Sequence, residues 1–288
     1  MTAPRPSAGT SETLGVYELG ATPLYAATGD QRFGYYLYVP KAFTWAQAAD
    51  YALCVVVHGT GRTPSVYRDL FADFAERNRV IILAPLFPAG IGEPRELSNY
   101  KFIAFQGIRF DEVLLGMVAE VSARYRIAAD RFLMFGFSGG AHFAHRFFYL
   151  HPGRLHAVSI GAPGMVTLID PATPWWRGTR DLTERFGIEM DLEAMREIPV
   201  HMVVGADDLD TWEITLAPGH PHWMEHANAA GRTRIDRIQT LKANFEAHGI
   251  KVRLDMAPGV GHNGYAVLDA PQKFFEEVLA GLRTGKPA

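Results

Sequence analysis

The chain has 288 residues, of which 48% are hydrophobic, and its formal net charge is −3. This length allows one large α/β domain or two small ones, and the small negative charge gives no reason to expect nucleic acid or an anionic membrane as partner. The one cysteine, Cys54, cannot form an internal disulfide, and its apolar surroundings favour a buried strand residue over a nucleophile.

The first 15 residues are rich in Thr, Ser, Ala and Pro. Residues 1–15 lack the basic start and apolar core of a signal peptide, so we expect a flexible tail. No apolar run approaches the length that spans a bilayer. A cytoplasmic protein is therefore expected, and the lack of disulfides agrees with a reducing compartment.

Seven short apolar runs predict strands, and all but the first are nearly continuous in apolar residues, as in a parallel sheet covered on both faces. The predicted strands are 35–39, 52–57, 80–84, 132–135, 157–160, 200–204 and 252–256. The helical patterns are 69–77, 111–125, 139–150, 234–248 and 271–282. The alternation predicts a doubly wound, mostly parallel α/β sheet with helices on both faces, in a single domain over residues 16–288.

Residues 163–198 interrupt the alternation of strands and helices. They include Pro171, Pro174 and the adjacent pair Trp175 and Trp176. We interpret the segment as an insertion that can cover a site, and not as a separate domain. The two tryptophans are candidates for the wall of an acyl or aryl pocket, with packing of the insertion as the alternative.

The stretch Gly136-Phe137-Ser138-Gly139-Gly140 lies between a predicted strand and a predicted helix. Gly-x-Ser-x-Gly at such a junction is typical of a nucleophile elbow, a sharp turn that strains the serine and exposes its hydroxyl above the sheet edge. Side chains at the first and last positions would collide, and glycine avoids this. Ser138 is therefore the candidate nucleophile.

A serine needs a neighbouring base at neutral pH. His262 is the best candidate, because it follows the last predicted strand and has Gly259, Gly261 and Gly264 around it. These glycines allow the backbone to place an imidazole over the sheet edge.

The base needs an acid that holds its tautomer and stabilises the imidazolium. Asp207, Asp208 and Asp210 follow the predicted strand 200–204. We favour Asp208, and the other two stay open. The chain order serine, aspartate, histidine is the one expected for this type of fold.

The sequence His58-Gly59-Thr60-Gly61 follows an early strand. Its Thr60 N–H, with Gly61 as a further candidate, and the N–H of Gly139 are expected to hold the oxyanion of acyl transfer. We expect His58 to shape this loop and not to act as a base. His58, Gly59 and Gly61 are also candidates for substrate contact.

Two cations precede the long helix over 111–125. Lys101 and Arg109 are candidates for pairing with a substrate carboxylate, although solvated loop charge or a partner for Asp111 at the helix start is the favoured alternative.

The pattern His220-x-His222-x-x-x-His226 places three histidines at a spacing like that of metal ligands. They lie in an irregular, proline-containing stretch, so we expect a surface loop and no metal.

These features resemble the α/β-hydrolase family over about residues 35–282. More closely, the loop 58–61 and the stretch 131–140 resemble the esterase/polyhydroxybutyrate-depolymerase-like and prolyl-oligopeptidase-like serine hydrolases. In that branch a Gly-x-x-Asp stretch carries the acid and a Gly-x-Gly-His stretch carries the base. Gly205-Ala-Asp-Asp208 and Gly259-Val-Gly-His262 match these patterns.

The resemblance implies a serine hydrolase that needs no cofactor. We expect it to cleave a carboxylic ester of a small or medium-sized substrate, through an acyl-enzyme on Ser138. An amidase or peptidase, or a C–C bond hydrolase with the same three residues, stays an alternative, because pocket shape decides between them. A non-catalytic ligand-binding protein is less favoured, and a homo-oligomer is left open.

Overall fold

A computed structural model describes residues 14–285. The predicted tail over residues 1–15 lies outside the described residues except for Leu14 and Gly15. None of the helices in the described part is both long and apolar enough to cross a membrane.

The predicted alternation of strands and helices is present between residues 34 and 284. The strands are β1 (Gly20–Ala21), β2 (Tyr25–Ala26), β3 (Gly34–Val39), β4 (Ala52–Val57), β5 (Val80–Leu86), β6 (Ala104–Phe105), β7 (Ile108–Arg109), β8 (Phe132–Phe137), β9 (Leu155–Gly161), β10 (Val200–Gly205) and β11 (Val252–Ala257). The α-helices are α1 (Pro64–Leu70), α2 (Ala72–Asn78), α3 (Phe110–Tyr125), α4 (Gly139–Leu150), α5 (Leu182–Phe186), α6 (Leu192–Arg196), α7 (Arg234–Ala247) and α8 (Asp269–Thr284). Short 3-10 helices cover Val16–Glu18, Trp45–Asp50, Asn99–Phe102 and Pro152–Arg154.

Nine of the strands in the described part form one sheet in the order β1-β3-β5-β4-β8-β9-β10-β11, with β2 paired to β3. The strands from β5 to β11 in this order are parallel, whereas β1, β2 and β3 pair antiparallel. The mostly parallel, doubly wound sheet predicted from the sequence is confirmed. The chain passes from β4 to β5 on one side and returns to β8 on the other, so a crevice is expected where β4 and β8 end.

Helices cover both faces of the sheet, as the packing along β8 shows. Phe132 contacts Phe147 of α4 with ring centroids 5.9 Å apart, whereas Phe135 contacts Phe71 at 5.9 Å. Side chains three positions apart on a strand point to opposite faces. Cys54 on β4 is fully buried, as predicted, and burial raises the pKa of its thiol.

The predicted helix over 69–77 is wrong in its bounds. The chain forms two shorter helices, because Pro64 starts α1 five residues earlier and Phe71 leaves the helical conformation at ψ 0°. The Phe71 side chain is fully buried between the helices and the sheet, so packing fixes the break. Strands β1 and β2 were not predicted, since two residues are too short for an apolar pattern.

The segment over 163–198 contains the short helices α5 and α6 between irregular turns. Trp175 and Trp176 are buried at 9% and 7% exposure. The Trp176 indole N–H donates to the carbonyl oxygen of His222 over 2.9 Å, which ties this segment to the second irregular stretch of the chain.

Candidate active site

Ser138 occupies the turn between β8 and α4 with φ 54° and ψ −115°, a conformation that costs energy for a residue with a side chain. A Cβ atom on Gly136 would lie 2.2 Å from the Gly140 carbonyl oxygen. A Cβ atom on Gly140 would lie 2.2 Å from the Val57 carbonyl oxygen. The turn therefore closes against itself and against β4, and it requires glycine at both positions.

Ser138, His262 and Asp208 form one chain of hydrogen bonds. The Ser138 hydroxyl lies 3.0 Å from Nε2 of His262, and Nδ1 of His262 lies 2.7 Å from Oδ2 of Asp208. A carboxylate only accepts, so Nδ1–H donates to Asp208 and Nε2 is free to accept the serine proton. Asp208 is fully buried, whereas the His262 side chain keeps 21% exposure.

The structure separates the three aspartates after β10. Asp207 and Asp210 are exposed, and only Asp208 among them reaches His262. The Asp207 N–H donates to the Val260 carbonyl oxygen over 2.9 Å, which joins the turn after β10 to the turn after β11. Because these parallel strands are neighbours, their carboxyl ends bring the acid and the histidine together.

Arg234 holds the far side of Asp208 and was not foreseen from the sequence. Its Nη1 lies 3.3 Å from Oδ1 of Asp208, and its Nη2 lies 2.6 Å from Oε2 of Glu213. The side chain is only 2% exposed. The Thr233 side chain accepts a hydrogen bond from the N–H of Asp236 and caps α7, so the sequence could predict where this helix begins. The sequence did not indicate that the side chain of Arg234 points inward.

The amides of Thr60 and Gly139 lie close together beside Ser138. A Cβ atom on Gly139 would lie 3.1 Å from the Thr60 nitrogen. Within residues 14–285 neither N–H donates to a protein acceptor. Gly139 is also the first residue of α4, where the helix dipole favours negative charge. The pair is thus available for an oxyanion.

His58 shapes the loop that carries the Thr60 amide. Its Nδ1–H donates to the Gly59 carbonyl oxygen over 2.7 Å, and its Nε2 accepts from the Phe87 N–H over 3.1 Å. Burial lowers the pKa of His58 to about 3, so the ring is neutral. The ring is fully buried and both nitrogens are occupied, so the prediction that His58 contacts substrate is wrong.

Arg62 clamps the same loop and was also missed. Its guanidinium donates to the carbonyl oxygens of Thr60 over 2.7 Å, Phe87 over 2.9 Å and Leu97 over 3.0 Å. The backbone at Arg62 has a φ of 53°. Fixing the Thr60 carbonyl orients the peptide chain on both sides of it, and a lone arginine in a loop gave no signal of this.

The other candidate contacts in this loop differ in position. A Cβ atom on Gly59 would lie 3.6 Å from Cβ of Ser138, so Gly59 borders the serine. Gly61 is exposed and faces open space.

Both tryptophans of the insertion are buried in the core, and they also line a cavity of about 280 Å³. The residues that line it are Asn99, Phe102, Ala104, Phe105, Trp175, Trp176, Arg185, Phe186 and His222. This cavity borders Asn99 and Phe102, on either side of Lys101 in the sequence, rather than Ser138. A role of the tryptophans in substrate binding stays a prediction.

Arg109 and Lys101 have different environments. Arg109 donates to both carboxylate oxygens of Asp111, over 2.9 and 2.6 Å, and to the Phe186 carbonyl oxygen. It therefore fixes the start of α3, the alternative favoured from the sequence, rather than facing a substrate carboxylate. Lys101 is 7% exposed, and its Cε would lie 3.0 Å from a Cβ atom on Gly139.

The three histidines of the second irregular stretch do not form a cluster with other ligand side chains. His220 and His222 have ring centroids 5.6 Å apart, and the exposed His226 lies 3.5 Å from Glu225. In the part of the chain that the structure describes, no group of three or more His, Cys, Asp or Glu is placed to hold a metal ion.

No protein-family model and no curated protein matches the sequence. Solved structures do match. The chain is 22% identical to poly(aspartic acid) hydrolase-1 from Sphingomonas sp. KT-1, with a TM-score of 0.71 over 88% of this chain and 97% of that one. It is 21% identical to LpqC, a poly(3-hydroxybutyrate) depolymerase from Bordetella parapertussis, with a TM-score of 0.65 over 93% and 91%.

A further match is FphF, a fluorophosphonate-binding serine hydrolase from Staphylococcus aureus, at 10% identity and a TM-score of 0.57 over 90% of this chain and 99% of that one. Together with the strand order, these similarities show that the chain has the α/β-hydrolase fold.

Proposed function

We propose that this chain is a serine hydrolase that cleaves a carboxylic ester of a small or medium-sized substrate. The observation that carries the proposal is the chain of hydrogen bonds from Ser138 through His262 to Asp208, beside two amides without a protein acceptor. Several solved structures of this fold that resemble the chain are of esterases, which supports ester cleavage.

In the proposed first half-reaction, Oγ of Ser138 attacks the substrate carbonyl carbon while its proton moves to Nε2 of His262. Asp208 stabilises the imidazolium and does not itself become protonated. The tetrahedral intermediate collapses when the bond to the alcohol breaks, and His262 returns its proton to the departing oxygen. The acyl group stays on Ser138 as an ester.

Water completes the cycle by the same route. His262 removes a proton from the water while the water oxygen attacks the acyl carbon. The proton then goes from His262 to Oγ of Ser138 as the acid product leaves. In both halves the N–H groups of Thr60 and Gly139 receive the carbonyl oxygen as it becomes negative. Such preorganised donors cost no reorganisation during the reaction. No cofactor takes part.

Amide cleavage is the second candidate, since one of the similar structures is of a poly(aspartic acid) hydrolase. The same three residues serve both reactions, and the fit of the leaving group decides between them. A 4-nitrophenyl ester and a 4-nitroanilide with the same acyl group separate the two. Faster anilide turnover, after correction for intrinsic reactivity, would favour the amidase.

The other predictions from the sequence stay predictions. They are a cytoplasmic location, a single domain over residues 16–288 with an insertion over 163–198 that can cover the site, and a small-molecule substrate. The oligomeric state stays open.

Labelling with a fluorophosphonate, measured by intact mass, tests the proposal. We expect one adduct on the native protein, none on Ser138→Ala, and much slower labelling of His262→Ala and Asp208→Asn. Ser159→Ala is the matched control, because Ser159 also lies 2.7 Å from a histidine nitrogen but is fully buried. A folded native protein that takes no adduct would contradict the hydrolase and favour a binding protein.

A further inference from the structure

Lys101 is a buried cation at the edge of the proposed oxyanion site. Its side chain is 7% exposed, and its Cε would lie 3.0 Å from a Cβ atom on Gly139. The Thr60 nitrogen would lie 3.1 Å from the same Cβ position on Gly139. The lysine arm therefore runs alongside the two amides that are placed to receive the substrate carbonyl oxygen.

The ammonium group of Lys101 is poorly compensated. Among residues 14–285, its one hydrogen bond is to Oγ of Ser98 at 3.3 Å, and no carboxylate lies within 4.0 Å of it. A charged lysine has three N–H donors, so two remain for another acceptor. Burial lowers the pKa of Lys101 to about 8, while Glu96 and Glu213 attract the charge only from farther away.

Two arginines, the fully buried Arg146 and the half-buried Arg62, flank Lys101 and add positive charge. Arg146 is fully buried and donates to the Lys101 carbonyl oxygen over 2.6 Å and to the Thr167 hydroxyl over 2.9 Å. Arg62 donates to the oxygens already described. The donors of both arginines are thus directed at neutral oxygens, and neither has a carboxylate within 4.0 Å in the described part of the chain.

Uncompensated buried charge is costly, and proteins commonly pair it. Here three cations converge on the segment 100–102, and Lys101 is the one with donors left over. An anion from outside the chain would complete this arrangement. A carboxylate carries the opposite charge and only accepts hydrogen bonds, so it suits an ammonium with donors left over.

We propose that Lys101 binds a carboxylate in the acyl part of the substrate, so that the hydrolase prefers esters of dicarboxylic acids in which one carboxyl group is free. This inference rests on the proposed function. The leaving alcohol must lie beside His262 to receive its proton, whereas Lys101 lies on the side of the Thr60 and Gly139 amides. The acyl part is therefore the part within its reach.

The test compares two 4-nitrophenyl esters with the same five-carbon acyl chain, the monoester of glutaric acid and its neutral counterpart in which the free carboxyl carries a methyl group. We expect the native protein to favour the anionic ester in kcat/KM by about tenfold to a hundredfold, the size of a charge-assisted hydrogen bond. Lys101→Met should lose that preference, because the loss in kcat/KM falls mainly on the anionic ester. Lys101→Arg should keep part of the preference, since it keeps the charge.

Lys242→Met is the matched control, because it removes a half-buried lysine paired with Glu246 far from the segment 100–102 in the sequence and changes the net charge equally. Free glutarate should inhibit turnover of the neutral ester by the native protein and by the Lys242 variant, and inhibit Lys101→Met at least about tenfold more weakly. This second measurement does not depend on the anionic ester.

The outcomes separate the inference from the proposed function. Equal rates on both esters by a native protein that takes the fluorophosphonate would overturn the carboxylate site alone. An equal loss on both esters in Lys101→Met would assign the lysine to the oxyanion and also overturn it. A native protein with neither adduct nor turnover would overturn the hydrolase, and the carboxylate site with it.

Discussion

Among residues 14–285, two sets of Ser, His and Asp are joined by hydrogen bonds, and we propose that one of them performs chemistry. Ser159, His201 and Asp255 lie on the neighbouring strands β9, β10 and β11. The Ser159 hydroxyl lies 2.7 Å from Nδ1 of His201, and Nε2 of His201 lies 3.1 Å from Oδ2 of Asp255. By distance alone this set resembles Ser138, His262 and Asp208.

The two sets differ in what surrounds the serine. Ser159 and His201 are fully buried within regular strands, whereas Ser138 is half-buried on a strained turn. Beside Ser138 lie two amides without a protein acceptor, whereas Ser159 belongs to a ladder in which β9 pairs on both sides. Access, backbone geometry and oxyanion donors therefore separate a candidate nucleophile from a structural network.

The largest contrast is expected on removing each serine. Ser138→Ala should lower kcat for a 4-nitrophenyl ester by about a million-fold, the loss typical of a serine nucleophile. Ser159→Ala should leave kcat unchanged and lower the free energy of unfolding by about 1 kcal/mol, the value of one hydrogen bond. Steady-state kinetics and urea unfolding measure the two effects, and a turnover loss confined to Ser159→Ala would reverse the assignment.

Each acid can be tested in the same way. Asp208→Asn should lower kcat about ten-thousand-fold, because an amide can hold the imidazole in the wrong tautomer. Asp255→Asn should leave the kcat of the folded protein within about twofold. Comparable losses in the two variants would mean that Asp208 does not orient the histidine.

The sequence predicted those parts of the site that depend on strand ends. Ser138, Asp208 and His262 each follow a short apolar run, and in a parallel sheet such residues meet at one edge. Among the three aspartates, however, the turn after β10 decides which side chain points inward, and the pattern left that open. The hydrogen bond from the Asp207 N–H to the Val260 carbonyl oxygen fixes this turn so that the Asp208 side chain points inward.

The arginines were beyond sequence reasoning for a different reason. Arg62 reaches Phe87, 25 residues away in the sequence, and Arg234 reaches Asp208, 26 residues away. Tertiary packing sets the directions of both side chains, and no local pattern encodes them. The second set on β9, β10 and β11 was equally hidden, because its residues sit inside apolar strands. The fold was predictable because the alternation of apolar strand runs and helical patterns is repeated along the chain.

His201 also makes the stability of the fold depend on pH in the acid range. Burial lowers the pKa of His201 to about 4, below its value in the unfolded chain of about 6.5. Only the unfolded chain takes up this proton as the pH falls from about 6.5 to about 4, so stability is complete above that window and is lost within it. This group alone should cost about 3 kcal/mol by pH 4.

His201→Gln should therefore show a flatter dependence of stability on pH than the native protein. Urea unfolding at several pH values between 4 and 7 measures the difference between the two curves, which cancels the contribution of other buried histidines. Parallel curves would mean that His201 is not held neutral by the fold.

The smallest effect is expected from the arginine behind each acid. Arg234 lies 3.3 Å from Asp208 and is buried, whereas Arg253 lies 3.0 Å from Asp255 and is 38% exposed. Arg234→Gln should lower kcat about tenfold, because one hydrogen bond to a charged group no longer positions Asp208. Loss of the guanidinium charge also favours the imidazolium, so the acid limb of the pH–rate profile should move to higher pH.

Arg253→Gln removes the same type of side chain from the other set and should change neither kcat nor the profile. Arg234→Lys keeps the charge and should restore the position of the acid limb even if kcat stays low. A purely structural Arg234 would lower the yield of folded protein without moving that limb. The shift therefore distinguishes a residue that positions the acid from one that only supports the loop around it.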